Sequence, residues 1–95
     1  MKIDFTWHHA DRSEAIEDLL YHKLEKLERH GDHIHHIHVI FEHDKKEHTV
    51  KAIVHYYGKE IHAHDVNVDM YKAIDQMAHK LIRQVEEYKE KMRGH

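Results

Sequence analysis

Ninety-five residues are the length of one domain around one core, burying roughly 60–68% of the surface that the unfolded chain exposes. Charged residues make up 35% and apolar residues 40%, with no cysteine; no run approaches the ~20 apolar residues of a membrane helix, and a disulfide framework, thiolate zinc site and cysteine nucleophile are all excluded. The formal net charge of −3 counts 15 histidines as neutral, yet at an ordinary pKa of ~6.5 about a quarter are protonated at pH 7, adding roughly +3.6, and half at pH 6.5, adding about +7.5. Overall charge therefore neither supports nor excludes a nucleic-acid partner, and the distribution of fixed cations has to decide.

Met1 leads straight into an alternating, charged stretch in which Ile3, Phe5 and Trp7 alternate with Lys2, Asp4 and Thr6. That is the period-two signal of a half-buried strand, and it lacks the apolar block of a signal peptide, so an intracellular, cytoplasmic location is expected. Ser13 then suits an N-cap, with Glu14, Glu17 and Asp18 in the first turns where the helix dipole favours anions. Ile16, Leu19, Leu20, Leu24 and Leu27 recur at helical spacing and Gly31 suits the stop, which predicts helix one from about Ser13 to His30.

Between Ile34 and Val66 the period returns to two, broken at Asp44-Lys-Lys-Glu47 and at Gly58-Lys59. Three strands result, with Ile37, Val39 and Phe41, then Val50, Ala52, Val54 and Tyr56, then Ile61 and Ala63 on one face; two short hairpins make them an antiparallel meander. Asp69 can cap a long helix to about Arg93 whose buried positions read Tyr71, Ile74, Met77, Leu81, Val85, Tyr88 and Met92. The fold class is thus α+β in the order β-α-β-β-β-α. Both helices are expected on one face of a four-stranded sheet, with strands one and two parallel if adjacent and the other face open to water.

Four segments, Lys23-Leu-Glu-Lys-Leu-Glu-Arg-His30, Gly58-Lys-Glu-Ile-His-Ala63, Asp69-Met-Tyr-Lys-Ala-Ile-Asp75 and Lys80-Leu-Ile-Arg-Gln84, together resemble the short bacterial ribosome hibernation promoting factors, relatives of the ribosome-associated inhibitor. The resemblance spans essentially the whole chain, residues 1–95, which it marks as a single ribosome-binding domain. It implies binding to the small ribosomal subunit and its rRNA between head and body, in the path of mRNA and tRNA, so that translation stops while the ribosome is preserved under stress or in stationary phase. It implies ribosome modulation factor as an indirect partner in pairing ribosomes, and a chain without the extra dimerisation domain of longer relatives or the extended tail of the inhibitor.

The fixed charges agree in kind. Lys80, Arg83, Lys89, Lys91 and Arg93 on the last helix and Lys23, Lys26 and Arg29 on the first offer two rows that packed helices can present side by side to phosphates. The plain alternative is a solvated face with ion pairs such as Glu87 to Lys91. Members of the family often carry lysine or an uncharged residue where this chain has Glu86-Glu87, so two acids interrupt the row; His22, His30, His33 and His79 are available to compensate as pH falls.

If Gly58-Lys59 and Lys45-Lys46 are two-residue turns, His36, His55 and His62 form a row across the open face, with His38 and His64 flanking Ile53. Neutral imidazoles at that spacing can hold zinc, nickel or copper, but a flat row does not converge and shows no carboxylate support, so no metal or other cofactor is expected. Ser13 is the only serine and no phosphate-binding glycine loop occurs, which argues against an enzyme. A histidine-rich metal-binding protein and an interaction module using Ile40 and Ile53 remain the competing classes. The open face carries few apolar residues, which predicts a monomer off the ribosome.

Overall fold

The computed structural model describes residues 1–34 and 36–93, residues 30–32 by backbone alone. Strand β1 (Lys2–His8) leads to helix α1 (Glu14–Lys23) and a 3₁₀ segment (Glu25–His33); β2 (His36–Asp44), β3 (Glu47–Tyr56) and β4 (Lys59–Asn67) follow, then helix α2 (Met70–Arg93). The sheet runs β1-β2-β3-β4, with β1 parallel to β2 and the other two pairings antiparallel. The α+β class and the β-α-β-β-β-α order are those expected.

Alternation of apolar and polar residues puts one side of every strand into a common core. Ile3 pairs with Ile37 and Trp7 with Phe41, Val39 with Ala52 and Ile37 with Val54, and Val54 with Ile61. All of these but Trp7, which packs half-buried against them, join Ile16, Leu20, Leu24 and Leu27 and, from α2, Ala73, Ile74, Met77, Ala78, Leu81 and Val85 in one buried cluster. Each large apolar side chain withdrawn from water here contributes on the order of 1.5–3 kcal/mol. All helical segments therefore lie on one face of the sheet.

Two capping side chains start the helices. Ser13 Oγ accepts from the Ile16 N–H at 3.3 Å, and Asp69 Oδ1 accepts from the Tyr71 N–H at 2.9 Å. The stripe on α2 differs at its ends from the expected one: Tyr71 is 58% exposed and Met92 37%, whereas Ala73 and Ala78 are buried. Small residues on both sides, Ala52 paired with Ala63 on the sheet and the two alanines on α2, leave room for close approach.

Helix one is also corrected. The α-helix ends at Lys23, where the Leu24 N–H still reaches the Leu20 carbonyl at 2.9 Å, but the next bond, Leu27 N–H to Leu24 carbonyl at 2.9 Å, spans three residues. The chain continues as 3₁₀ through the backbone of Gly31, the expected stop, to His33. With three residues per turn, side chains three apart eclipse. Leu24 and Leu27 are both fully buried, and the same period sets Lys26 with Arg29 and Glu25 with Glu28 in separate rows.

Candidate nucleic-acid interface

The eclipsed Lys26–Arg29 row runs along the last turns of α2. Between them lies a groove of about 690 Å³ lined by Lys26, Arg29, Arg83, Glu86, Glu87, Lys89, Glu90, Lys91 and Arg93. Six of the eight cations singled out in the sequence thus meet in one groove. Arg83 reaches Glu87 at 3.7 Å and Arg93 reaches Glu90 at 3.8 Å, so two of the three groove carboxylates are engaged by neighbouring arginines one helical turn away. At these exposed positions such pairs hold weakly. Among the described residues Lys26, Arg29, Lys89 and Lys91 have no carboxylate partner within salt-bridge distance, which leaves four cations uncommitted.

The other two expected cations are placed differently. Lys23 pairs with Asp75, joining α1 to α2 beside a second, larger hollow of about 990 Å³ that it lines with Tyr21, His22, Lys26 and Arg29 and with the acids Glu25 and Glu28. Lys80 donates to the His64 carbonyl at 3.1 Å and to Asp65 Oδ1 at 2.8 Å. It ties α2 to β4, the outer strand, and does not line the groove. Of the histidines named as compensating charge, His22 lines the hollow with Lys23, His33 stacks on Tyr57, His79 is exposed, and the side chain of His30 lies outside the described residues.

The open face corrects the predicted histidine row. Lys45-Lys46 is a two-residue turn as expected, with Asp44 paired to Glu47 and Phe41 to Val50. The second turn is Tyr57-Gly58, because Tyr56 pairs with Lys59. Both turn residues have positive φ, +51° and +74°, the signature of the type I′ turn whose twist suits a hairpin. This shifts β4 by two residues: His55 faces Glu60, His62 faces Ile53 and His64 faces Lys51. His55 and His62 accordingly share the Glu60 carboxylate, at 3.6 Å and 2.5 Å, while His36 bonds Asp4 across to β1 and His38 meets the Thr6 hydroxyl at 2.8 Å. The row His36, His55, His62 is thus broken, its members held by two different carboxylates. Among the described residues no three His, Asp or Glu side chains converge to hold a metal ion.

At the outer edge, Glu17 fastens α1 to β1. It accepts from Trp7 Nε1 at 3.0 Å and from the Arg12 guanidinium at 3.2 Å, and the Arg12 bonds, aided by the Trp7 N–H, hold its carboxyl below the usual carboxylate range against the opposing pull of burial. Asp4 is also held low, chiefly by its bond to His36.

The sequence and the fold are both matched by known proteins. The family described as "Sigma 54 modulation protein / S30EA ribosomal protein" matches residues 3–93, and this chain belongs to that family. The "Ribosome hibernation promoting factor" of Escherichia coli (strain K12) is 36% identical over 95 residues, all of both chains. That of Azotobacter vinelandii is 37% identical over 91 residues, 96% of this chain and 85% of its own. Among solved structures, a ribosomal subunit interface protein from Coxiella burnetii superposes with a TM-score of 0.85 at 37% identity, covering 94% of this chain and 98% of that one. The N-terminal domain of Thermus thermophilus Protein Y shares the fold, with a TM-score of 0.83 at 24% identity over 93% and 99% of the two chains. No helix among the described residues is long and apolar enough to cross a membrane.

Proposed function

We propose that this chain is a ribosome hibernation factor that binds the small ribosomal subunit through the groove between the 3₁₀ segment and α2, and stops translation by occupying the path of mRNA and tRNA. The observation that carries this reading is the convergence of Lys26, Arg29, Arg83, Lys89, Lys91 and Arg93 along one groove, in a chain whose full-length relatives are named for ribosome hibernation. Lysines supply point charges and arginines forked donors to phosphate oxygens. A rigid surface of this kind recognises folded rRNA by shape and charge, not by reading base edges. Inhibition then needs only steric occupancy and no catalysis. The chain acts in the cytoplasm as one ribosome-binding domain, is monomeric off the ribosome, and cooperates with ribosome modulation factor in forming inactive ribosome pairs.

Co-sedimentation with purified small subunits, with and without excess mRNA and tRNA, tests the reading. Wild type should pellet with free subunits and be displaced by the RNAs, and Lys26→Glu with Lys91→Glu should stay in the supernatant. Retention of that double variant on the subunit, or of wild type on subunits already filled with mRNA and tRNA, would contradict it. Lys80→Glu is a poor probe, because it sets a carboxylate against Asp65 and the His64 carbonyl and so alters the tether between α2 and β4 as well as the charge.

A further inference from the structure

The hairpin tip between β3 and β4 carries a feature that neither turn chemistry nor core packing requires. Tyr57 holds the first turn position at φ +51°, where a bulky side chain is strained and asparagine, aspartate or glycine is preferred. Tyr57 is 46% exposed, and one face of its ring stacks on exposed His33, with centroids 4.0 Å apart and planes at 27°. Buried Tyr56 stands at its side, 4.7 Å away at 77°. Beside this stack opens a cavity of about 260 Å³ lined by Tyr56, Tyr57, Lys89, Met92 and Arg93. Lys89 and Arg93 also line the basic groove, so the two surfaces are continuous.

Strain kept at an exposed aromatic position points to use of the ring. We propose that the Tyr57–His33 stack is a base-stacking site for a single unpaired RNA nucleotide at the end of the groove, with Lys89 and Arg93 holding its flanking phosphates. Every base has a flat π-face, and aromatic rings beside cations are how unpaired nucleotides are held without reading sequence. Met92 supplies a soft apolar wall. The inference rests on the reading of the groove as an RNA surface and adds that one nucleotide there is unstacked from its neighbours.

The test uses the full chain and two labelled RNA hexamers of equal charge, hexauridylate and its abasic counterpart, with binding read by fluorescence anisotropy at low salt. Tyr57→Asn removes the ring and suits the positive φ, so the turn is kept. Wild type should prefer hexauridylate by about tenfold, and Tyr57→Asn should bring the ratio to about one with abasic affinity unchanged. Lys26→Glu with Lys91→Glu should weaken both hexamers and leave the ratio intact. A ratio near one in wild type, a ratio preserved in Tyr57→Asn, or no measurable hexauridylate binding would overturn the base site and leave the stack as a fastening between the 3₁₀ segment and the hairpin. A ratio that collapses in Tyr57→Asn while charge reversal changes neither affinity would keep the base site and refute the groove reading.

Discussion

His48 is a titratable side chain whose burial opposes its protonation in the folded chain. Its Nδ1 is buried with no hydrogen-bond partner, and its ring stacks on His43 across the strands at 4.1 Å and 15°. Burial, and then the neighbouring His43, hold its pKa below the ordinary 6.5, against a smaller opposing pull from Asp69. The unfolded chain therefore binds this proton more readily than the folded one. Stability is undiminished above about pH 6.5 and falls as pH drops through that value towards the depressed folded pKa. Asp4 and Glu17 are lowered from 3.8 and 4.5, so the stability they supply is lost only in more acid solution. Thermal melts between about pH 7 and 5.5 should show a falling Tm, about 4–8 °C for each kcal/mol lost in a chain this size. The fall should be smaller in His48→Thr, and an equal fall in both would show that another group drives it. The sequence put each of His36, His38, His55, His62 and His64 on the correct face but gave β4 the wrong partners. Alternation has a period of two, so a slip of two residues leaves every side chain on the same face; only the turn dihedrals decide, and Tyr57 is an unexpected residue to find at positive φ.

Among the elements, the 3₁₀ segment matters most for the site. Leu24-Glu-Lys-Leu-Glu-Arg29 is a triplet written twice, and at three residues per turn it yields a buried leucine row, an acidic row and the basic row on the groove. Leucines three apart fit an α-helix equally well, which is why the sequence alone read one continuous helix to His30; the repeat of all three residue types was the signal that could have separated the two. Leu27→Ala should cost about 2–5 kcal/mol, read from urea unfolding, and should loosen the groove wall. Lys26→Ala, on an exposed row, should leave stability within about 0.5 kcal/mol. Comparable losses from the two would mean that the rows are not separated as described. The start of α2 was legible because a capping Asp69 precedes the long apolar period. Lys80 was not legible as a tether: a lysine off the apolar stripe looks the same in sequence whether it meets solvent, phosphate or, as here, Asp65 on β4.

For the whole molecule, the one-sided core was readable because every strand alternates and both helices carry a single stripe, which leaves one compatible layering. The convergence of cations was only partly readable, since the groove depends on how the 3₁₀ segment lies beside α2, and no local pattern encodes that distance. The proposed contact of the groove cations with rRNA phosphates makes small-subunit affinity depend on salt. Over about 50 to 200 mM salt, the log–log slope for Lys26→Gln with Lys91→Gln should be shallower than that of wild type by about 2, one for each phosphate that the variant no longer neutralises. Parallel lines with the same affinity would contradict the account and place the ribosome-binding surface elsewhere.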